Sequence, residues 1–167
     1  MDIEKIQAYL EEHELGGWLM ADFHGRNNIA IEMLGLSGMV TRRSFYFIPV
    51  SGEPTALVHA VEFDKFQSVA GNHIQYSSYK QLEDELEKLV SPVSKIAMEY
   101  SPMGRLPYIG LVDAGTIELM KSFGCEIVTS ANMVANFQAR LTPEQIATHR
   151  IAAKNVIEIK EHAHSYI

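Results

Sequence analysis

Apolar and polar positions follow two different periods along this chain, and segments with each period alternate. Apolar residues spaced three or four apart, such as Ile3, Ile6 and Leu10, predict amphipathic helices. Short runs rich in β-branched and aromatic residues predict strands. Helices are expected at residues 2–14, 28–34, 62–70 and 80–90, between Asp113 and Gly124, from Ser130 as the capping residue to about 139, and from Thr142 onwards. Strands are expected at residues 18–21, 44–50, 55–60, 74–76, 95–99 and 125–128.

The alternation of strands with helices predicts an α/β sandwich, in which a sheet is flanked by helices. Turn residues at 51–54 (Ser-Gly-Glu-Pro) join two of the strands as a hairpin, which requires an antiparallel pair. The predicted sheet is therefore mixed. A purely parallel dinucleotide-binding sheet is disfavoured, because the segment MADFHGRNN after the first strand lacks a glycine-rich phosphate loop.

The last predicted helix has a strong start and no stop signal. Thr142 is an N-cap residue, Pro143 occupies the first helical position and Gln145 completes a capping box. A helix that is apolar on two faces needs packing partners on both, and the uncovered face indicates a missing partner. The apolar residues fall on two sides of this helix: Ile146, Ala153, Ile157 and Ile167 on one, and Ile151, Ile159 and Tyr166 on the other.

Composition and charge narrow the class of partner. The 167 residues include 21 acidic and 14 basic side chains, for a net charge of −7. This balance argues against nucleic acid and anionic membranes, since both require a basic face. No apolar run reaches the roughly 20 residues of a membrane span, and the N-terminus lacks a secretory pattern. The single cysteine, Cys125, suits a reducing compartment, so a cytoplasmic location is expected.

Known catalytic motifs are absent from the sequence. It contains no nucleophile elbow, zinc-protease helix motif, P-loop or pair of cysteines. Arg42 and Arg43 precede an aromatic strand, where arginines are more often solvated or edge-protecting than functional. The polar run at residues 24–28 (HGRNN) is typical of turn and capping chemistry.

Three further candidates have plain structural explanations. Glu99 ends a strand, where open α/β sheets often place ligands, but it equally suits a cap for the Ser101-Pro102 turn. Cys125 is expected to act as a small buried hydrophobe rather than a reactive thiol. Glu158 and His162 share a helix face, yet two side chains fall short of the three or four ligands that a metal site needs.

Five blocks of the sequence carry a resemblance to a known family. They are DFHGRNNIAIEMLGL, TRRSFYFIPVSGEPTALVHAVE, AMEYSP, PYIGLVDAGTIELMKSFGCEIVTSANMV and LTPEQIATHRIAA. In order and spacing they resemble Xaa-Pro peptidase-like proteins of the pita-bread metallohydrolase family, which includes aminopeptidase P, prolidase and creatinase. The resemblance covers nearly the whole chain.

The resemblance implies a division into two domains. Residues 1–140 would form a creatinase N-terminal-like domain, a ribonuclease H-like sandwich with a mixed sheet. Residues 141–167 would be the first helix of a truncated pita-bread catalytic domain, so the chain is expected to be a fragment of a longer enzyme. The family holds two divalent metal ions (manganese, cobalt or zinc) with two Asp, one His and two Glu. All five ligands are expected in the missing domain, with no cofactor, metal ligand or catalytic residue in this chain.

The implied function is that of the non-catalytic N-terminal domain of a metal-dependent Xaa-Pro peptidase, of the aminopeptidase P or prolidase type. Such a domain would shape the substrate pocket and build a homodimer, and the 167-residue chain alone is expected to be inactive. Expected partners are its own catalytic domain, a second copy, and a peptide or small amide substrate. The alternative is a dimerisation or recognition module of a non-peptidase or metal-less member, similar to creatinase or ectoine hydrolase.

The resemblance also implies substrate-binding residues. In this family the N-terminal domain of one subunit reaches towards the active site of the other. Arg42 and Arg43, with His24 as a weaker companion, are therefore expected to meet substrate. The planar fork of an arginine can bind the carboxylate of a peptide ending in proline by two parallel hydrogen bonds.

Overall fold

A computed structural model describes residues 1–166 of the chain, which form a mixed sheet flanked by helices. The predicted fold class is confirmed. The helices are α1 (Ile3–Glu12), α2 (Asn28–Leu34), α3 (Tyr79–Val90), α4 (Ala114–Ser122), α5 (Ala131–Phe137) and α6 (Pro143–His164). The strands are β1 (Gly17–Asp22), β2 (Ser44–Pro49), β3 (Thr55–His59), β4 (Asn72–Tyr76), β5 (Lys95–Met98) and β6 (Glu126–Thr129). Short 3₁₀ segments occupy Ala60–Phe66, Pro102–Gly104 and Pro107–Ile109.

The six strands lie in the order β4-β3-β2-β1-β5-β6. The pairs β1–β2 and β2–β3 are antiparallel, which confirms the predicted hairpin, whereas β1–β5, β3–β4 and β5–β6 are parallel. Because β1, β5 and β6 run in the same direction, their carboxyl ends meet at one edge of the sheet. The start of β2 lies at that edge too, since Ser44 pairs with Asp22 at the end of β1.

The sheet separates two apolar cores. One face packs against α3 and α4, with Leu82, Leu86 and Met120 fully buried against it. The other face packs against α1, α2 and α5. All six residues of β1 are buried, because this strand is central and covered on both sides. Burial on both faces explains why β1 appears in the sequence as a continuous apolar run rather than as an alternating pattern.

The predicted helix at 62–70 is wrong in type and extent. Residues 60–66 form a 3₁₀ helix instead, capped by the side chain of His59, and no helix continues to residue 70. This 3₁₀ segment makes a tertiary contact: the buried Glu62 carboxylate accepts hydrogen bonds from Thr41 and Arg42. Such a contact between distant segments overrides a local helical pattern.

Helix α6 projects from the sandwich. The predicted capping box at Thr142 and Gln145 is present, but no residue of the helix is buried. Ile151 and Ile159 are 63% and 68% exposed, so the helix carries apolar side chains without cover from the sandwich. Ile167, which the helical wheel assigned to one apolar side, lies outside the described residues. No helix among residues 1–166 is long and apolar enough to cross a membrane.

Candidate functional site

The candidate site lies at the carboxyl end of β1. The chain there leaves the sheet through residues 22–28 before α2 begins. Asp22 is buried, and its two carboxylate oxygens accept the backbone N–H groups of Gly25 (3.0 Å) and Asn27 (2.8 Å). His24 and Gly25 both have positive φ angles, 64° and 69°, which turn the chain sharply. The predicted turn chemistry of HGRNN is confirmed, and its capping residue is Asn27, whose side chain accepts the N–H of Ala30.

A fully buried carboxylate, Glu99, ties this turn to the rest of the sheet. It follows β5 and accepts three side-chain hydrogen bonds. Trp18 Nε1 donates to Oε1 at 2.6 Å, Asn27 Nδ2 donates to Oε2 at 2.7 Å, and the Ser130 hydroxyl donates to Oε1 at 3.1 Å. All four side chains are fully buried. Glu99 thus connects β1, the turn before α2 and the start of α5.

The position of Glu99 corrects two predictions about single residues. Its side chain does not cap the Ser101-Pro102 turn, because its acceptors face inward to Trp18, Asn27 and Ser130. Ser130 makes no capping hydrogen bond to α5, since its hydroxyl donates to Glu99 instead.

Burial controls the acidity of Glu99. Removal of the carboxylate from water raises its pKa above the ordinary value, and this outweighs the hydrogen bonds from Trp18, Asn27 and Ser130 that act in the opposite direction. No cation balances the charge within residues 1–166. The group is therefore a buried structural acid, held by donors rather than by an ion pair.

Beside this network a pocket of about 300 Å³ opens between the end of β1, the start of β2 and the segment before α4. Arg43 is half-buried in its wall, and Arg26 lies at its exposed side. Asp22 and Asp113 contribute carboxylates. The pocket is lined by Ala21, Asp22, Phe23, Arg26, Arg43, Phe45, Leu111, Val112, Asp113 and Thr116.

The charges of the pocket interact without pairing closely. The Asp113 carboxylate caps α4 and accepts the backbone N–H (3.0 Å) and hydroxyl (2.7 Å) of Thr116. Burial acts to raise the pKa of Asp113, but the bonds from Thr116 and the nearby positive charge of Arg43 hold it below the ordinary value. The Arg26 guanidinium lies 5.7 Å from the centre of the Phe23 ring.

The structure separates the residues that the sequence grouped as substrate-binding. Arg43 lines the pocket, and its backbone carbonyl accepts the Tyr76 hydroxyl at 2.7 Å. Arg42 and His24 are exposed and do not line it. The edge-protecting interpretation of the arginine pair is wrong, because β2 lies between β3 and β1 and is not an edge strand.

The backbone next to Arg42 is fixed by Glu62. The Glu62 carboxylate accepts the hydroxyl of Thr41 at 2.9 Å and the backbone N–H of Arg42 at 3.1 Å. Burial acts to raise the pKa of Glu62, yet the hydrogen bonds from Thr41 and Arg42 outweigh it and lower that pKa. These hydrogen bonds therefore hold the segment just before β2 against the 3₁₀ helix at Ala60–Phe66.

The remaining candidates lie away from the pocket. Cys125 is buried in the core beside α4, and burial raises the pKa of its thiol, as expected for a small hydrophobe. Glu158 and His162 are exposed on α6. Among residues 1–166 no group of three or more His, Cys, Asp or Glu side chains could hold a metal ion.

Sequence reasoning missed Arg26 and Asn27 as individual site residues. Arg26 enters the pocket only because the turn with positive φ at His24 and Gly25 folds back over the end of β1. An Asp followed by Gly and Asn in a turn is a signal that such a fold-back can form. Asn27 and Glu99 are 72 residues apart in the sequence, and no local pattern shows that their side chains are hydrogen-bond partners.

Comparisons with known proteins find this fold. None of the protein-family models matches the chain, and none of the curated proteins matches it in sequence. Solved structures do match. A proline dipeptidase from Streptococcus pneumoniae TIGR4 aligns with a TM-score of 0.65 at 15% identity, over 84% of this chain and 98% of that chain. The creatinase/prolidase N-terminal domain of an X-Pro dipeptidase from Streptococcus pyogenes gives 0.62 at 14% identity, over 81% and 97%.

This chain has the fold of a creatinase/prolidase N-terminal domain. The resemblance seen in the sequence blocks is therefore confirmed at the level of the fold. A longer structure, the Xaa-Pro dipeptidase from Bacillus anthracis, matches 99% of this chain with a TM-score of 0.62 at 15% identity. The match covers 42% of the Bacillus chain.

Proposed function

We propose that this chain is the N-terminal domain of a metal-dependent Xaa-Pro peptidase-like hydrolase, of the aminopeptidase P or prolidase type. In this role it does not carry out the chemistry but shapes the substrate pocket and contributes to a homodimer. The observation that carries the proposal is the match to domains of the same extent, since 98% of the Streptococcus pneumoniae proline dipeptidase chain is covered. A cytoplasmic location belongs to the same proposal.

The domain division is part of the proposal. Residues 1–140 would be the N-terminal domain, and residues 141–167 would begin a catalytic domain. Two observations support this division: α6 has no buried residue although it carries several isoleucines, and the Bacillus anthracis match spans nearly all of this chain but less than half of that one. A following domain would cover the apolar side chains of α6.

The metal chemistry is assigned to that following domain. Residues 1–166 supply no group of three or more potential ligands, so they do not fit the expected pair of manganese, cobalt or zinc ions. The residues of this chain would bind and orient the substrate, a peptide or small amide. At least one of Arg42 and Arg43 would recognise the substrate carboxylate across the dimer interface, with His24 as a weaker companion.

A second candidate function is a dimerisation or recognition module of a non-peptidase or metal-less relative, similar to creatinase or ectoine hydrolase. It is kept because fold alone does not fix the reaction. The sequence that follows residue 167 separates the two. Five intact metal ligands (two Asp, one His and two Glu) favour the peptidase, and their loss favours the binding module.

The experiment is carried out on the protein that contains this chain together with the sequence that follows it. Hydrolysis of Xaa-Pro peptides is measured in the presence of each metal, and the 167-residue chain alone is the expected inactive comparison. Arg42→Ala and Arg43→Ala are made separately, with Arg105→Ala as an exposed arginine control outside the pocket. One of the pair should lose about 2–5 kcal/mol of transition-state binding. Near-normal turnover in both variants, with the dimer intact, would show that neither arginine recognises the substrate carboxylate.

A further inference from the structure

Strand β4 lies at one end of the sheet and has a neighbouring strand, β3, on one side only. Asn72 donates its backbone N–H to the Pro54 carbonyl at 2.8 Å, so Asn72 and every second residue after it face β3. The backbone groups of His73 and Gln75 therefore face outwards, where no strand follows among residues 1–166. Such an open edge is a template for pairing with another chain.

The side chain of Gln81, in the first turn of α3, occupies part of this outward edge. Its Oε1 accepts the backbone N–H of Ser77 at 2.9 Å, and its Nε2 donates to the carbonyl of Gln75 at 3.2 Å. A primary amide offers the same donor and acceptor as a peptide group. Gln81 thus makes the two hydrogen bonds that one residue of an adjacent parallel strand would make.

This geometry departs from the local capping pattern. Ser78 caps α3, and a Gln three residues after such a cap ordinarily accepts the backbone N–H of the capping residue itself. Helix α6 shows that form, since Gln145 Oε1 accepts the N–H of Thr142 at 2.8 Å. Gln81 instead reaches one residue further back, to Ser77, and its Nε2 reaches β4. Its amide is therefore directed at the strand edge and not at the helix end.

The composition of β4 explains why its edge needs this contact. Sheet edges are ordinarily protected by short length, by charged side chains or by proline. Strand β6, at the opposite edge of the sheet, has only four residues and carries the exposed Glu126. Strand β4 has five residues, with the sequence NHIQY, and none of them is Asp, Glu, Lys, Arg or Pro. Its own sequence therefore offers little protection against strand pairing.

A second copy of this chain fits the β4 edge. Two identical edges that pair antiparallel about a two-fold axis are self-complementary. Pairing of two β4 strands brings no acidic side chains of the strand together, whereas pairing of two β6 strands would bring Glu126 towards its own copy.

We propose that Gln81 acts as a substitute strand residue, which keeps the β4 edge closed to the β4 edge of a second copy. The Gln81 side chain is exposed and its two hydrogen bonds are of ordinary length, so a competing strand can displace it. The inference goes beyond the proposed function, because the pairing involves neither the substrate pocket nor a catalytic domain. Its failure leaves that proposal standing, since the two are tested with different variants and different measurements.

The test compares the self-association of the 167-residue chain and its variants by sedimentation equilibrium at pH 7. Each wild-type copy must give up both Gln81 bonds before it can pair, so Gln81→Ala should self-associate at least about tenfold more tightly. Gln81→Met keeps the length of the side chain without its hydrogen bonds and should behave in the same way. It covers the case in which the alanine variant does not fold, which circular dichroism shows.

Two further variants assign the effect to the edge. Gln145→Ala is the matched control, because it removes the same side chain from the same position of another helix without opening a strand edge. It should self-associate like the wild type. Gln75→Lys places an exposed charge on β4 and, in the Gln81→Ala background, should return self-association to the wild-type level.

Amide exchange measured by NMR locates the contact. In the wild type the N–H of Ser77 is bonded to Gln81, whereas the N–H of Gln75 faces outwards and has no acceptor among residues 1–166, so Ser77 should exchange more slowly. In Gln81→Ala both amides should exchange rapidly in dilute solution and become protected together as the concentration rises. Association through the exposed side chains of α6 would leave both amides in rapid exchange.

Three outcomes would overturn the inference. Equal self-association of the wild type and both Gln81 variants would show that the side chain does not close the edge. Association of Gln81→Ala that persists with Gln75→Lys, or that leaves the Gln75 amide unprotected, would place the contact elsewhere. An equal increase in Gln145→Ala would show a general effect of losing a glutamine from the start of a helix.

Discussion

Replacement of Glu99 by alanine should be among the most damaging single changes in this protein. The carboxylate is fully buried and serves as the acceptor for donors from three separate elements. Its removal leaves those donors in a space closed to water. Unsatisfied buried donors cost far more than the net gain of an ordinary hydrogen bond, so the loss depends on which donors can find another partner.

The three donors differ in this respect. Trp18 Nε1 has no other acceptor within residues 1–166, so it becomes fully unsatisfied. Asn27 Nδ2 retains its bond to the Ala21 carbonyl at 3.0 Å, and the Ser130 hydroxyl can rotate. One fully and one partly unsatisfied donor, at about 1–3 kcal/mol each, add to the cost of the cavity. Removal of a buried charge offsets part of this sum. We expect Glu99→Ala to lose about 3 kcal/mol of the free energy of unfolding.

Urea denaturation at pH 7, followed by circular dichroism and by the fluorescence of the single tryptophan, measures this loss. Glu126→Gln, an exposed change on β6, is the control and should stay within about 0.5 kcal/mol of the wild type. Trp18→Phe in the Glu99→Ala background removes the unsatisfied indole N–H. The double variant should therefore lose less than the sum of the single losses. Because Trp18→Phe also removes the single tryptophan, the variants that carry it are followed by circular dichroism alone. A Glu99→Ala loss below about 1 kcal/mol, or strict additivity with Trp18→Phe, would refute the account of Glu99 as the shared acceptor.

The same residue predicts a pH dependence. The pKa of Glu99 is raised in the folded protein, so the folded state holds its proton to higher pH than the unfolded chain does. Its stabilising contribution is complete below the unfolded value of about 4.3 and is lost as pH rises towards the folded pKa. Glu62 and Asp113 have lowered pKa values and act in the opposite direction. The difference between wild type and Glu99→Gln isolates the Glu99 contribution, and a difference that does not change with pH would contradict the raised pKa.

Three further predictions concern other parts of the molecule. Gly71→Ala should destabilise by about 2–3 kcal/mol in urea, because φ is +97° and an added Cβ would overlap the carbonyl of Pro54; Gly38→Ala, also at positive φ but in open space, should lose only about 1 kcal/mol. Burial raises the pKa of Tyr46 and of Tyr76 to about 12, so ultraviolet titration should leave two tyrosines un-ionised at pH 11, and stability should fall as pH rises from the unfolded value of about 10. Amide exchange in dilute solution should be faster in α6 than in the sheet, because no residue of α6 is buried; uniformly slow exchange through this helix would contradict the prediction.

Elements with local signals could be predicted from the sequence. Helix α2 runs over residues 28–34, as predicted, because Asn27 starts it and Gly35 ends it at a φ of 65°. The β2–β3 hairpin follows from turn residues at 51–54. In these cases the residues that determine the structure are neighbours in the chain, so their pattern is visible without a three-dimensional context.

The interior of the site could not be predicted in the same way. Ser130 has the sequence context of a helix cap, yet its hydroxyl is used by Glu99, 31 residues away. Glu62 sits in a helical pattern, yet its carboxylate is used by Thr41. In both cases the side chain is hydrogen-bonded to a residue that is distant in the sequence, and not in the way that its local pattern predicts. Only the arrangement of the strands shows where the distant partner lies. The contribution of Arg26 to the pocket depends on the same arrangement.

The strand order has a consequence for the assembly of this protein during synthesis. Strands β1 to β4 are neighbours both in the chain and in the sheet, so the first 76 residues contain every partner they need except one. The edge of β1 that faces away from β2 stays unpaired until β5, residues 95–98, has been synthesised. Until they emerge from the ribosome, the buried central strand of the finished protein is an open, apolar edge. Intermolecular strand pairing at this edge should therefore be the main hazard for the nascent chain, and a protein truncated before residue 95 should aggregate by this route.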